Sequence, residues 1–297
     1  MTYPEFAGIP ALSAALDAAG YLPDEGVATA AYLAIRMRRP LLLEGDPGVG
    51  KTALAQALAD VVGAELVRLS CYEGIDASQA LYDWDFPRQL LHLRAAEDGG
   101  GDERSVYDRR FLIARPILRA LEVSPAVLLV DEIDRADDEF EAFLLEVLAD
   151  NAVTIPELGT IRPAEPPIVV LTSNRTRELH DALKRRCLYH WVDHPSFERE
   201  VAIVRLRVPE IQEGLARQVA AAVEAMRGLQ LYKPPGVAET IDWAGALGVL
   251  GTTELSEATV SSTLGTVLKY REDQERVRQH GVADLVKQAF ERGLLPG

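Results

Sequence analysis

The segment Gly45-Asp46-Pro47-Gly48-Val49-Gly50-Lys51-Thr52 constrains this chain more than any other feature, because of what lies on either side of it. It fits GxxxxGK[ST]. Before it, "PLLLE" is a short apolar run suited to a strand buried on both faces. After it, "KTALAQALADVVG" carries Leu54, Leu58 and Val61–Val62 at helical spacing, with Gly63 as a stop. The glycines let backbone N–H groups curl around an anion at a helix N-terminus. Lys51 adds a point charge near the β/γ-phosphates of a nucleotide, and the Thr52 hydroxyl can ligate Mg²⁺. A strand, an anion loop and a helix in that order belong to an α/β fold with a parallel sheet.

Four further runs read as strands: "AELVRLS", "AVLLVDE", "PIVVLTSN" and "CLYHWV". They alternate with helical stretches, so the expectation is a parallel five-stranded sheet sandwiched by helices. Residues 11–38 read as two short helices around a "GYLPDEG" turn. About fifty residues separate the second strand from the third, more than one crossover helix needs, so an insert is expected at about 74–104. It holds an aromatic-acidic segment and a charged Gly-rich loop around Gly99–Gly101, expected to be mobile. After "DHPS" the strand signals stop, and Ile211, Leu215, Val219, Val223 and Met226 recur at helical spacing. The division is an α/β core over 1–193 and an all-helical domain over 194–297.

A second element must hold the metal. "AVLLVDEID" delivers Asp131 to the C-terminal end of a strand, where ligands collect in open α/β sheets, as a Mg²⁺ partner through water. Glu132 follows, placed to polarise the water that attacks the γ-phosphate. Asn174, at the end of "VVLTSN", can orient the same water or contact the γ-phosphate. Arg185 and Arg186 in "DALKRRC" read either as surface charge or as an arginine finger reaching a neighbouring subunit's nucleotide. His190 and His194 in "HWVDH" fall on a strand pattern, which would set them about 13 Å apart, too far for one ion.

Charge and composition narrow the partners. Acidic residues outnumber basic ones 46 to 31, for a net charge of −15, which disfavours a nucleic-acid partner. Cys71 and Cys187 stand outside any ligand spacing and read as core thiols. No eighteen-residue apolar run occurs, and "MTYPEFAGIP" lacks the pattern of a signal peptide; a cytoplasmic protein without stable membrane insertion is expected.

Taken in order, the phosphate loop, "LLVDEID", the "TSN" strand end, the "ALKRR" arginine box and the helical C-terminal part resemble an AAA+ ATPase. The insert resembles the helix-2 insert of the MoxR branch, and "NAVTIPELGTIRPAEPP" resembles that branch's pre-sensor hairpin. Within it, "CYEGIDASQALYDWDFPRQLL", "KPPGVAETIDWA" and "TLGTVLKYRED" are similar to the CoxD-like maturation factors of carbon monoxide dehydrogenase, with the CbbQ and NorQ types as cousins. The resemblance implies a ring hexamer with ATP between subunits, in which Arg186 acts in trans, with Arg185 as runner-up. It also implies a von Willebrand A-domain partner and a metalloenzyme client, touched by the insert around Tyr82, Trp84 and Phe86. One departure is expected to matter: where relatives carry a sensor arginine, this chain has Ala238, which leaves slow hydrolysis, a substitute such as Lys233, or a cycle that works without the contact. A rubisco-activase-like role, a small-molecule kinase, a DNA-remodelling motor and a nucleotide-gated scaffold are the competing readings.

Overall fold

The computed structural model describes residues 3–97 and 106–294. The chain opens with α1 (Ile9–Ala18) and α2 (Glu25–Met37). Asp24 caps α2 by accepting from the Val27 N–H at 2.6 Å, and the helix stops where Arg38 turns left-handed at φ 53°. Then come β1 (Leu41–Glu44), α3 (Lys51–Val62) and β2 (Glu65–Ser70). After β2, the insert supplies α4 (Ala77–Ala80), β3 (Tyr82–Trp84), α5 (Phe86–Glu97) and β4 (Leu112–Ala114). The core resumes with α6 (Pro116–Glu122), β5 (Ala126–Asp131), α7 (Asp138–Asp150), the short strands β6 (Val153–Ile155) and β7 (Gly159–Ile161), β8 (Ile168–Ser173), α8 (Asp181–Arg186) and β9 (Leu188–Trp191).

The main sheet has five parallel strands in the order β2-β5-β8-β1-β9. Every residue of β1, β5 and β8 is buried, as continuous apolar runs require when helices cover both faces. The outer strands β2 and β9 alternate or stay half-exposed. Register aligns the carboxyl ends that matter for chemistry: Ser70 stands opposite Asp131, and Glu44 opposite Ser173.

The insert runs further than about residue 104. Tyr82 pairs with Ala114 and Trp84 with Leu112, so the segment closes on its return strand β4. A three-residue strand offers no alternation to read, which is why the sequence hid it. Tyr82 and Trp84 pack against the core, whereas Phe86 is 63% exposed. The Gly99–Gly101 loop lies outside the described residues. β6 and β7 pair as the expected antiparallel hairpin. Cys71 and Cys187 are free and buried, and burial pushes both thiols up to about 12.

A second compact unit comprises Val192 onward together with Gly20–Leu22 and, within the phosphate loop, Asp46–Gly50. Its helices are α9 (Phe197–Arg207), α10 (Glu213–Arg227), α11 (Val237–Val249), α12 (Glu257–Val267), α13 (Arg271–His280) and α14 (Val282–Leu294). Leu215, Val219, Val223 and Met226 form the buried stripe of α10. Trp243 is fully buried there, with its indole N–H donating to Thr263 at 2.8 Å. Among the described residues, no helix is long and apolar enough to cross a membrane.

Candidate nucleotide site

β1 runs into the loop through Gly45, and α3 begins at Lys51. Gly48 and Gly50 take φ +80° and +98°, conformations that L side chains rarely adopt, so the loop can present successive N–H groups to an anion. Lys51 is buried, and its Nζ donates to the Gly45 carbonyl at 2.6 Å. At the end of β5, Asp131 is 4% exposed. Its Oδ1 accepts from the hydroxyls of Thr52 at 3.1 Å and Thr172 at 2.5 Å, and its Oδ2 accepts from Arg68. The two expected metal-holding residues, Thr52 and Asp131, are therefore in direct contact.

Glu132 is left-handed at φ 56°, unusual for a residue with a side chain, at a cost of about 1–3 kcal/mol. Its N–H donates to the Thr172 hydroxyl at 2.9 Å. Its carboxylate accepts from Asn174 Nδ2 at 3.2 Å and from Arg135 at 3.1 Å. Two expected catalytic residues thus meet beside Asp131. Arg185 and Arg186 lie on α8 and are both exposed; Arg186 donates to the Leu145 carbonyl of α7 at 3.3 Å. The carbonyls of both arginines accept from Arg39.

In the helical unit, the first turn of α11 meets the phosphate loop. The N–H groups of Val237 and Ala238 donate to the Gly48 carbonyl at 3.0 and 3.3 Å. A Cβ on Gly236 would stand 2.7 Å from the Pro47 carbonyl and 3.0 Å from Gly48 Cα, so only glycine fits. Ala238 brings no sensor side chain, but its backbone is part of the loop's support. Lys233 is exposed, with its N–H donating to Asp273. His194 does not share a strand with His190, because β9 ends at Trp191; its Nε2 lies 3.5 Å from Asp46 in the loop. Burial, then the nearby Arg227 charge, holds its pKa below the ordinary histidine value.

A family model, the AAA domain of the dynein-related subfamily, matches residues 40–187. The chain is 31% identical to protein MoxR of Methylorubrum extorquens over 122 residues, covering 41% of this chain and 30% of that protein. With the chaperone MoxR1 of Mycobacterium tuberculosis it shares 28% over 198 residues, 63% of this chain and 44% of that one. Residues 40–187 are an AAA domain, and the chain is similar to the MoxR branch of the AAA+ ATPases. The chain spans about half the length, or less, of these curated relatives. Among solved structures, a RuvB mutant of Thermotoga maritima aligns with a TM-score of 0.49 and 18% identity, covering 91% of this chain and 85% of that one.

The structure brings to this AAA-type site further residues that sequence reasoning missed. Thr172 bridges Asp131 and Glu132. Arg175, left-handed at φ 55°, lies 3.9 Å from the buried Glu44 at the end of β1 and also pairs with Glu178. Lys184 and Arg175 hold the Glu178 carboxyl down to about 2. Arg68 reaches Asp131 from β2. In sequence, a threonine and an arginine within strands carry no mark of such contacts.

Proposed function

We propose that this MoxR-type chain hydrolyses ATP in the cytoplasm and couples the cycle to remodelling of a protein client. The observation that carries the reading is the Glu132–Asn174 hydrogen bond next to Asp131, a carboxylate and its positioning partner beside the residue that touches Thr52. Thr52 and Asp131 would hold Mg²⁺: a hydroxyl touching a buried carboxylate is a hard-oxygen set that suits this ion. When bound, the metal offsets charge on the β/γ-phosphates. Lys51 exchanges the Gly45 carbonyl for phosphate oxygen, Glu132 takes the proton of the attacking water, and Asn174 fixes the carboxylate.

The active form in this reading is a ring hexamer in which Arg186, with Arg185 as runner-up, serves the neighbour's nucleotide. Both side chains are exposed, and Arg186 would first give up the Leu145 carbonyl. Alanine at the acting position is expected to lower turnover about a thousandfold while leaving ATP affinity unchanged. Mixing that variant with Glu132→Gln should restore activity, because each supplies what the other lacks. If both arginine variants turn over normally, or the mixture stays inactive, the trans assignment is lost.

The client we favour is a metalloenzyme of the molybdenum-containing carbon monoxide dehydrogenase type, presented by a von Willebrand A-domain partner. Phe86 is better placed to touch it than Tyr82 or Trp84, which pack on the core. The test is capture with a tagged Glu132→Gln chain held with Mg-ATP in extracts of the source organism. A von Willebrand A-domain protein or a molybdoenzyme subunit supports the reading, and rubisco moves it to an activase role. Nucleic acid, or nothing beyond the chain itself, removes client remodelling.

A further inference from the structure

Arg68 stands on the outer strand β2, opposite Leu129 in register, yet its guanidinium reaches along to Oδ2 of Asp131. Thr52 and Thr172 already occupy Oδ1. Oδ2 is therefore the oxygen open to the water shell of a metal, and Arg68 competes for it. Resting on the reading of Thr52 and Asp131 as the metal-holding pair, we propose that Arg68 is the exchange cation of Asp131, and that its guanidinium and the divalent metal are alternative partners of that carboxylate.

Three features support an exchange. Asp131 is 4% exposed, and a carboxylate so buried needs a compensating cation or several donors at every stage of a nucleotide cycle. The Arg68 side chain is 56% exposed, so it can swing into water without breaking core packing. A guanidinium and a hydrated divalent ion near the same oxygen repel each other, so whatever holds Arg68 on Asp131 weakens metal binding. Half-exposure screens that repulsion, which limits the expected effect to about an order of magnitude. Arg68 is a positioning residue in this account, because it acts on the metal through Asp131.

The test uses Mn²⁺ as a paramagnetic probe, titrated into the full chain with saturating ADP while the free-ion resonance is followed. Arg68→Gln is expected to bind Mn²⁺ about tenfold more tightly, and Arg68→Lys, a shorter point charge, to fall between it and the parent. ADP affinity in EDTA should stay within about twofold. The melting temperature of Arg68→Gln should fall in EDTA without nucleotide and match the parent with Mn²⁺ and ADP, a pattern that a plain surface ion pair would not give. Unchanged or weaker Mn²⁺ affinity overturns the proposal, and a loss of ADP affinity in EDTA would make Arg68 a phosphate ligand instead. Asp131→Asn separates the two levels. If it lowers Mn²⁺ affinity while Arg68→Gln does nothing, the exchange fails and the metal site stands; if it also does nothing, both fall.

Discussion

Glu132→Gln is expected to keep ADP and ATP affinity within about threefold of the parent while lowering ATP turnover by a factor of about 10²–10⁴. Glutamine preserves size and can still accept from Asn174. The backbone bond from residue 132 to Thr172 survives, so Asp131 and the left-handed turn keep their supports. What is lost is a carboxylate able to take a proton from the attacking water. Lys51→Ala should do the opposite, removing a buried ammonium from the phosphate site and with it most of the affinity. Phosphate release and titration with a fluorescent ADP analogue, run side by side, separate the two effects. If Glu132→Gln turns over at the parental rate, Glu132 is not the base. If instead turnover is lost but client-linked activity survives, the chain is a nucleotide-gated scaffold.

Parts of this molecule were legible because their physics is written in side chains. β1, β5 and β8 are covered on both faces, so they appear as unbroken apolar runs, and the glycine-lysine-threonine loop between β1 and α3 has few other interpretations. Other parts depend on backbone groups or on reach. The contact between α11 and the phosphate loop is made by N–H groups of Val237 and Ala238, so a search for a sensor arginine registers only its absence at Ala238. Gly236 reads as one more turn glycine until the nearby Pro47 carbonyl gives it a reason. Arg68 is indistinguishable in "VRLS" from a solvated residue of an outer strand. The return strand β4 is too short to carry a period, and the strand pattern that reaches His194 in sequence ends three residues earlier in the structure.

The largest stability effect is expected at Glu200, which belongs to none of the sequence motifs. Glu200→Ala should destabilise the helical unit by about 3–5 kcal/mol, because it strands a largely buried guanidinium. Glu200 is 1% exposed and receives both terminal nitrogens of Arg227, at 2.6 and 2.8 Å, as well as the Thr240 hydroxyl at 2.7 Å. Arg227 also donates to the Pro235 carbonyl at 2.7 Å, one residue before the glycine that abuts Gly48. The cluster therefore fixes the approach of α11 to the phosphate loop, and its loss should weaken nucleotide binding along with stability. Glu198 provides the control. Its pair with Arg217 has nearly the same geometry, at 2.8 and 2.9 Å, and the Arg217 guanidinium is nearly as buried as that of Arg227, but the Glu198 carboxylate is 49% exposed, so water reaches the vacated position and Glu198→Ala should cost about 1 kcal/mol or less. Urea unfolding of the two variants, with ADP titration on each, compares buried and exposed copies of one interaction. Equal losses would mean that burial does not set the strength of the Glu200 cluster, and that the support of Gly236 must lie elsewhere in α11.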